Sequence, residues 1–302
     1  MKQVASLQYG VIFKKAFCDV EVFTGFVRDI LGIEINIDKV ETEKEFKPAI
    51  GKVTVKFDLY AQDDEGRVIV EIQHQYSSDD HYDRFLHYHC VALLEQVKKA
   101  KNYKPPLAVY TIVVLTSADT KYREDVLTID FDLKTKKGKA LKEIPHKVVF
   151  LCPRHVDEHT PTAYREWLNV IFDSLDESID ESLYHKPEVQ KVVEYIEQDS
   201  VSPEEKAQMI EEYNWEQFKM KQEKLFNDKL QKSTAKATAK ALAKGKAEGK
   251  LEGKLEGKLE GEKLKALEIA KGMLAKNLDL QTISELTGLT HAEIENLQHN
   301  EA

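Results

Sequence analysis

The sequence predicts an α/β fold in which one mixed β-sheet is flanked by helices, with a helical C-terminal extension. The hydrophobic patterns follow the order helix, three strands, helix, strand, which is typical of elements built around a single sheet. The chain has 302 residues and is 42% hydrophobic, enough for one large core with an appendage or for two domains. Its charged fraction of 32% is above the usual quarter and indicates a solvated region outside that core.

The first predicted element is an amphipathic helical region over residues 11–31, where apolar side chains recur mostly every three or four residues. The pattern allows a break near Asp19, and Gly32 ends it. Strand-like runs rich in β-branched and aromatic residues then predict three strands, at about 38–47, 52–62 and 67–75.

A helical pattern at 80–101 and a strand at 107–116 follow, separated by the Pro105-Pro106 break, and shorter strands are expected near 126–133 and 146–151. Beyond residue 161 the patterns are helical and increasingly polar. We therefore predict four segments: a core over 1–155, a helical region over 156–230, a Lys/Gly/Glu-rich linker or helix over 231–262, and a small helical unit over 263–302.

The segment 245–261 reads GKAEGKLEGKLEGKLEG, a repeat with a period of four. Four residues advance a helix by about 400°, so the repeat is compatible with a helix. Each Gly costs about 1 kcal/mol relative to Ala, and the segment has no seven-residue apolar repeat. The repeat therefore favours a spacer over a coiled coil, helical only where a partner chain or a neighbouring helix supports it.

The last segment is patterned again. A helix over Leu280–Thr287 ends at Gly288, and Thr290 with Glu293 forms a capping box for a second helix. The stretch ISELTGLTHAEIENL resembles a helix-turn-helix, yet its second helix has two acids and no Lys or Arg, whereas a DNA-reading helix normally carries cations. The pattern therefore favours docking or homo-oligomerisation through the C-terminal helices over DNA reading.

Charge is distributed unevenly along the chain. The net charge is −9, but residues 219–276 carry 16 Lys and eight acidic residues, while 277–302 carry five acids and no Lys or Arg. Residues 1–218 therefore carry a net charge of about −12, so contact with DNA in this part of the chain would need a local basic patch or divalent cations.

The apolar runs and the cysteines favour a cytoplasmic location. The chain shows no N-terminal apolar region with a cleavage site, and its longest apolar run, Ala108–Leu115, is too short to span a bilayer. Cys18, Cys90 and Cys152 are far apart and in no metal-ligand spacing, which suits free cysteines in a reducing compartment. We expect a cytoplasmic protein without membrane contact.

The stretch FDLYAQDDEGRVIVEIQHQ, residues 57–75, predicts a β-hairpin that carries two acids at alternating positions. The tight turn within it sets a register in which paired residue numbers sum to 129, so that Asp58 lies opposite Glu71. Alternation places both acids on one face of the hairpin and an apolar set, which includes Phe57 and Leu59, on the other.

Two facing acids need an explanation, because like charges with Cβ atoms about 5 Å apart destabilise a hairpin. A divalent metal between them reverses that effect. The carboxylates of Asp58 and Glu71 with the carbonyl of Ile72 offer the oxygen ligands that Mg²⁺ or Mn²⁺ prefers, and such an ion activates water for phosphodiester hydrolysis. The alternative is a solvated sheet face on which each acid pairs with Lys56 or Arg67.

The chain has Asp58, then twelve further residues, then Glu71-Ile72-Gln73. This spacing resembles the Asp…Glu-x-Lys core of the PD-(D/E)XK nuclease superfamily. The chain is more similar to the Rpn family of recombination-promoting nucleases and transposases, in which Gln replaces the final Lys. Four further features are similar to that family: YGVIFKKAF at 9–17, HYDRFLHYHCVALLEQ at 81–96, the EGK run and the closing ISELTGL. The resemblance implies a restriction-endonuclease-like fold and a Mg²⁺- or Mn²⁺-dependent DNA endonuclease associated with recombination or mobile elements.

The resemblance also implies roles for single residues. Asp58 and Glu71 would ligate the metal, and Gln73 would position water or metal near the scissile phosphate. Where the family often has an acid just before the first helix, this chain has Gly10, and Gln73 lacks the charge of a lysine.

Three cations are candidates for contacts with the phosphate or the attacking water. Lys56 faces Gln73 in the predicted register and would place its ammonium there, while Arg84 and Lys14, in the flanking helices, would contact phosphate. For Arg84 and Lys14 a surface ion pair is the alternative role. The alternative function is a catalytically weak nuclease-fold module that binds DNA or protein and oligomerises through its C-terminal helices.

Overall fold

The structure is a computed structural model that describes residues 1–46, 55–74, 81–97, 105–117 and 123–299. Contacts divide the chain into two units, Met1–Lys219 and Met220–Ala302. The elements of the first unit are β1 (Lys2–Gln3), α1 (Gly10–Phe17), α2 (Val20–Leu31), β2 (Glu41–Phe46), β3 (Val55–Gln62), β4 (Gly66–Gln73), α3 (His81–Val97), β5 (Ala108–Leu115), β6 (Val126–Asp130), β7 (Lys147–Leu151), α4 (Thr162–Ser174), β8 (Ser178–Ile179), α5 (Pro187–Ile196) and the start of α6 (Pro203–Leu274). The second unit holds the rest of α6, then α7 (Leu280–Thr287) and α8 (His291–His299).

The predicted helical region at the start of the chain is two helices, because the residue at the break caps the second one. Asp19 Oδ1 accepts the N–H groups of Glu21 and Val22 at 3.0 and 3.1 Å, at the start of α2. Gly32 ends α2 with a φ of 67°, a left-handed conformation that glycine adopts without steric cost. Parts of the predicted strands and of the next helix lie outside the described residues: 47, 52–54, 75, 80 and 98–101.

The central sheet has six strands in the order β2-β3-β4-β5-β7-β6. β4, β5 and β7 run parallel to one another, and the remaining pairs are antiparallel. The predicted α/β fold class with one mixed sheet is therefore confirmed.

Helices cover both faces of this sheet, which is why its strands are largely apolar. α1, α2, α4 and α5 share one buried cluster with Val68 and Val70 of β4, while α3 packs with Ile69 on the opposite face. Trp167 of α4 is fully buried, with its ring 5.2 Å from that of Phe26 in α2. α4 and α5, which the sequence placed in a separate helical region, thus belong to the same core as the sheet.

β3 changes faces at Asp58, so the prediction that Phe57 and Leu59 share one face is wrong. Leu59 belongs to the cluster under α1 and α2, whereas Phe57 lies in the cluster under α3, with its ring 6.0 Å from that of Tyr88. The neighbouring strand is irregular at the same level, since Glu43 has a left-handed φ of 59°. This irregularity places Asp58 at a break in the sheet.

The glycine-rich repeat is helical in the second unit, as part of α6. Leu, Lys and Glu are good helix formers, and they offset part of the glycine cost. Ion pairs four residues apart, Lys244 with Glu248 and Lys258 with Glu262, add a small stabilisation. No helix in the described ranges is long and apolar enough to cross a membrane.

The end of α6 packs with α7 and α8 around a small core of its own, formed by Ala270, Ile283, Leu289 and Ile294. The predicted capping box is present. Thr290 N–H donates to Glu293 Oε2 at 3.0 Å, and Glu293 N–H donates to Thr290 Oγ1 at 3.4 Å.

Candidate active-site cleft

Asp58 and Glu71 bind to each other's strands by crossed hydrogen bonds. The Asp58 N–H donates to Glu71 Oε1 at 3.1 Å, and the Ile72 N–H donates to Asp58 Oδ2 at 3.0 Å. The β3–β4 ladder has the predicted register, with Leu59 opposite Val70 as its last pair before this point. Side-chain oxygens therefore replace the backbone carbonyl oxygens where the ladder ends.

Both carboxyl groups are harder to ionise than ordinary acids. Burial raises the pKa of Asp58. Glu71 is only 5% exposed, and burial together with the nearby Asp58 charge raises the pKa of Glu71 well above its usual range. The pair thus retains a proton at a pH where exposed carboxyl groups have lost theirs, and a bound cation would favour its release.

A cleft of about 300 Å³ opens beside Asp58. The predicted residues Lys14, Asp58, Ile72, Gln73 and Arg84 line it, whereas Glu71 and Lys56 are not part of its lining. The other lining residues come from the start of the chain, from the end of β4 and from α6: Gln8, Tyr9, Gly10, His74, Glu212, Trp215, Glu216 and Lys219.

Lys56 has a different partner from the one expected. Its ammonium binds Glu43, and in the sheet it pairs with Glu45 of β2. Lys14 binds the other carboxylate oxygen of Glu43. The expected position of Lys56 against Gln73 is therefore corrected, because β2 supplies an acid beside β3 while the β3–β4 ladder ends earlier.

Glu43 joins the two lysines at the edge of the cleft. Burial alone would raise the pKa of Glu43, but hydrogen bonds from Lys14 and Lys56 hold that pKa below its usual range. The carboxylate is consequently charged, and it fixes the Lys14 side chain in the cleft wall.

Arg84 and Gln73, which also line the cleft, are bound to each other. Arg84 Nη2 donates to Gln73 Oε1, and the guanidinium carbon lies 4.4 Å from the centre of the Phe85 ring. The charge of Arg84 also acts on Glu71, where it opposes the rise in pKa. This places a second cation within reach of the acid pair.

Glu212 of α6 was not found from the sequence. Its carboxylate accepts the N–H groups of Gly10 and Val11 at 2.7 and 3.1 Å, at the first turn of α1. A Cβ atom at position 10 would lie 3.6 Å from Glu212 Oε1. Glu212 therefore brings a carboxylate to the first turn of α1, next to Gly10, and no local signal reveals it because 202 residues separate it from Gly10.

His74, at the end of β4, was also missed. Its Nδ1 lies 2.7 Å from Thr116 Oγ1, and that hydroxyl donates to the Gln73 carbonyl oxygen at 3.3 Å. Because the hydroxyl has one proton, the His74 Nδ1 is the donor to Thr116. His74 Nε2 lies 4.0 Å from Oε1 of Glu216, and burial lowers the pKa of His74, so the imidazole is neutral at pH 7.

A mixed sheet with two acids at the end of its hairpin is the arrangement expected of a PD-(D/E)XK nuclease. Residues 10–227 match the family model described as PD-(D/E)XK nuclease family transposase, and the chain belongs to this family. Residues 263–299 match the C-terminal HTH domain of the Rpn/YhgA-like nuclease family, which covers the unit formed by α7 and α8. No curated protein and no solved structure matches the chain.

Proposed function

We propose that the protein is a metal-dependent DNA endonuclease that hydrolyses phosphodiester bonds, in a recombination or mobile-element role. The observation that carries this proposal is the pair of crossed carboxylates, Asp58 and Glu71, beside a cleft that also holds Lys14 and Arg84. The β3–β4 ladder ends at these two acids, and both have raised pKa values. A purely structural role does not explain the pair, because two like charges this close are destabilising without a cation.

The donor set fits Mg²⁺ or Mn²⁺. Both prefer oxygen ligands and retain several waters, and Asp58, Glu71 and the Ile72 carbonyl would hold the ion. Within the described ranges no group of three or more His, Cys, Asp or Glu side chains is gathered for a metal, so water and substrate would complete the shell. When bound, the ion lowers the pKa of a coordinated water and neutralises phosphoryl charge.

The chain's own residues bind and orient the phosphate. Lys14 and Arg84 both line the cleft, and each can contact a phosphate oxygen. Arg84 holds the Gln73 amide, which limits the rotation of that side chain and aims it at the cleft. Lys56 acts through Glu43, by helping to fix the carboxylate that positions Lys14.

The alternative function is a nuclease-fold module with weak or no catalysis that binds DNA or protein. Two observations favour it: Glu71 is buried and does not line the cleft, and Glu216 and Glu212 add negative charge beside Asp58. In either case the C-terminal helices would serve association between copies of the chain, since the cations expected for DNA reading are absent from residues 277–302.

Nicking of supercoiled plasmid separates the two functions. The purified full chain is incubated with Mg²⁺, Mn²⁺, Ca²⁺ or EDTA, next to the double variant Asp58→Asn, Glu71→Gln. Glu158→Gln, which changes an exposed acid outside this cleft lining, is the matched control. The nuclease proposal expects nicking with Mg²⁺ or Mn²⁺ only, lost in the double variant and kept in the control. Equal inactivity of folded wild type and double variant would favour the binding module.

A further inference from the structure

An exposed aromatic pair lies on α6 at the mouth of the cleft. Trp215 is 58% exposed and Phe218 is 51% exposed, and their rings stack with centres 5.7 Å apart and planes 19° apart. Lys219 Nζ lies 5.6 Å from the centre of the Trp215 ring. Rings of this size are usually covered, so an open, pre-stacked pair indicates a contact surface.

This pair is continuous with the candidate active site. Trp215 and Lys219 line the cleft that holds Asp58, and a second depression, which Phe218 lines, shares Trp215 and Glu212 with that cleft. All of these residues belong to the first unit of the chain. A ligand with its charged backbone in the cleft would therefore have its adjacent groups over the rings.

We propose that Trp215 and Phe218 form a stacking platform for unpaired bases, and that the substrate is a single-stranded segment of DNA whose phosphates enter the cleft. This inference rests on the proposed nuclease function and specifies its substrate class. Successive bases of a single strand stack on aromatic side chains, with lysine and arginine along the backbone. Lys14, Arg84 and Lys219 supply those cations around one cleft.

The acids near the platform do not oppose this assignment. The Glu212 carboxylate is satisfied by two N–H groups at the positive end of α1. Burial raises the pKa of Glu216, and the positive charge of Lys219 opposes that rise, so a cation acts on this acid. A paired duplex, in contrast, keeps its bases stacked inside the helix and offers no free ring face to Trp215. The platform thus selects unpaired bases.

The two tryptophans of the chain make a direct test available. Trp167 is fully buried and Trp215 is exposed, so quenching of the intrinsic fluorescence by an oligonucleotide reports on Trp215. The full chain in EDTA, where the proposed cleavage does not run, is titrated with a twenty-residue oligothymidine and with a twenty-base-pair duplex. We expect strong quenching by the single strand and little by the duplex.

Labelled oligonucleotides measure the affinities of matched variants by fluorescence anisotropy. The double variant Trp215→Ala, Phe218→Ala should bind the single strand at least tenfold more weakly, whereas Trp215→Phe, which keeps a ring, should stay within about threefold. Duplex affinity should change little in either variant. A single-strand affinity that is the same in wild type and in the double alanine variant would overturn the platform, as would equal quenching by the duplex.

Two further outcomes separate the stacking platform from a dimer interface and from the catalytic proposal. If sedimentation shows a dimer that the double alanine variant breaks, while its single-strand affinity is unchanged, the pair is an interface between copies and the inference is wrong. If the single strand binds and quenches as expected but Asp58→Asn, Glu71→Gln does not alter any plasmid nicking, the platform is supported and the catalytic proposal fails. The two failures are therefore distinguishable.

Discussion

Asp58 and Glu71 face each other across the hairpin, yet each carboxylate accepts a hydrogen bond from the opposite strand's backbone. The crossed arrangement replaces a rung of the β-ladder with two acidic side chains. The backbone amides are satisfied, but burial raises the pKa of both acids, and the nearby Asp58 charge raises the pKa of Glu71 further. Under the proposed function, the lost stability is offset when a cation binds to this pair.

The first prediction concerns stability and pH. The carboxyl pKa of Glu71 is raised in the folded protein, so between the unfolded and folded pKa values the native state binds more protons than the unfolded chain. This stabilising contribution is complete below the unfolded pKa and is lost as pH rises through the folded pKa, at about 1.4 kcal/mol per pH unit in that interval. Without metal, wild type should therefore become less stable from mildly acidic to alkaline pH.

Glu71→Gln removes this ionisation penalty, because an amide does not titrate. Its oxygen can still accept the Asp58 N–H, so the hydrogen bond is kept. We expect the variant to melt several degrees above wild type at pH 8 in EDTA, with the difference shrinking toward pH 4. Thermal melts over that pH range measure it, with Glu158→Gln as the exposed control. A variant that is less stable than wild type at pH 8 would contradict the unfavourable ionisation of Glu71.

The second prediction separates the two lysines that share Glu43. Lys14 lines the cleft, whereas Lys56 lies outside its lining. Lys14→Ala should reduce the single-turnover rate of DNA cleavage at least tenfold, and Lys56→Ala less than about threefold, because only the first removes a phosphate contact. Equal losses in the two variants would restore the direct role that the sequence suggested for Lys56.

The third prediction concerns the cap that α6 places on α1. Glu212→Ala should lower the free energy of unfolding by about 1–2 kcal/mol, because two N–H groups at the first turn lose their acceptor. Glu212→Gln, which keeps one acceptor oxygen, should lose less. Urea unfolding of the full chain measures both, and an alanine variant as stable as wild type would show that the contact contributes nothing.

Position 10 offers a coupled test of the same contact. Gly10→Asp should destabilise the chain, since it places a second carboxylate beside Glu212, and Glu212→Ala should relieve part of that loss. Gly10→Ala is the matched control, because its Cβ would sit at an ordinary contact distance of 3.6 Å. Additive effects of Gly10→Asp and Glu212→Ala would argue against their proximity.

The fourth prediction concerns the glycines of the repeat. Gly249, Gly253 and Gly257 lie in open space within α6, so replacing all three with Ala should increase helicity by circular dichroism and raise the stability of that segment by up to about 1 kcal/mol per site. Gly288→Ala should have the opposite effect on the C-terminal unit, because the φ of Gly288 is 70°. A triple variant with less helix would mean that the glycines are needed for a close contact.

The sequence was sufficient for features that depend on neighbouring residues. Helix and strand periodicity located the elements, and the turn chemistry of the hairpin set its register, because Asp63 N–H closes the turn on the Gly66 carbonyl at 3.0 Å. The capping box at Thr290 and the helix end at Gly32 follow from local chemistry as well. The roles of Asp58 and Glu71 remain predictions.

Contacts between distant parts of the chain could not be predicted in the same way. The switch of faces at Asp58 occurs at the level of the left-handed Glu43 in the adjacent strand and has no periodic signal in the sequence. Glu212 and Trp215 reach the cleft only because α6 packs against α1, and their own surroundings in the sequence resemble those of any polar helix. Tertiary packing therefore supplies the part of the cleft lining that comes from α6.

Calorimetric titration of Mn²⁺ into the metal-free full chain tests the central claim, that Asp58 and Glu71 form a cation site. Wild type and the double variant Asp58→Asn, Glu71→Gln are titrated at pH 7 in two buffers that differ in ionisation enthalpy. We expect wild type to bind the ion with release of protons, because the raised carboxyl pKa values fall when the ion binds, and we expect that binding to be lost in the double variant. Equal Mn²⁺ binding by both proteins, or none by folded wild type, would contradict it.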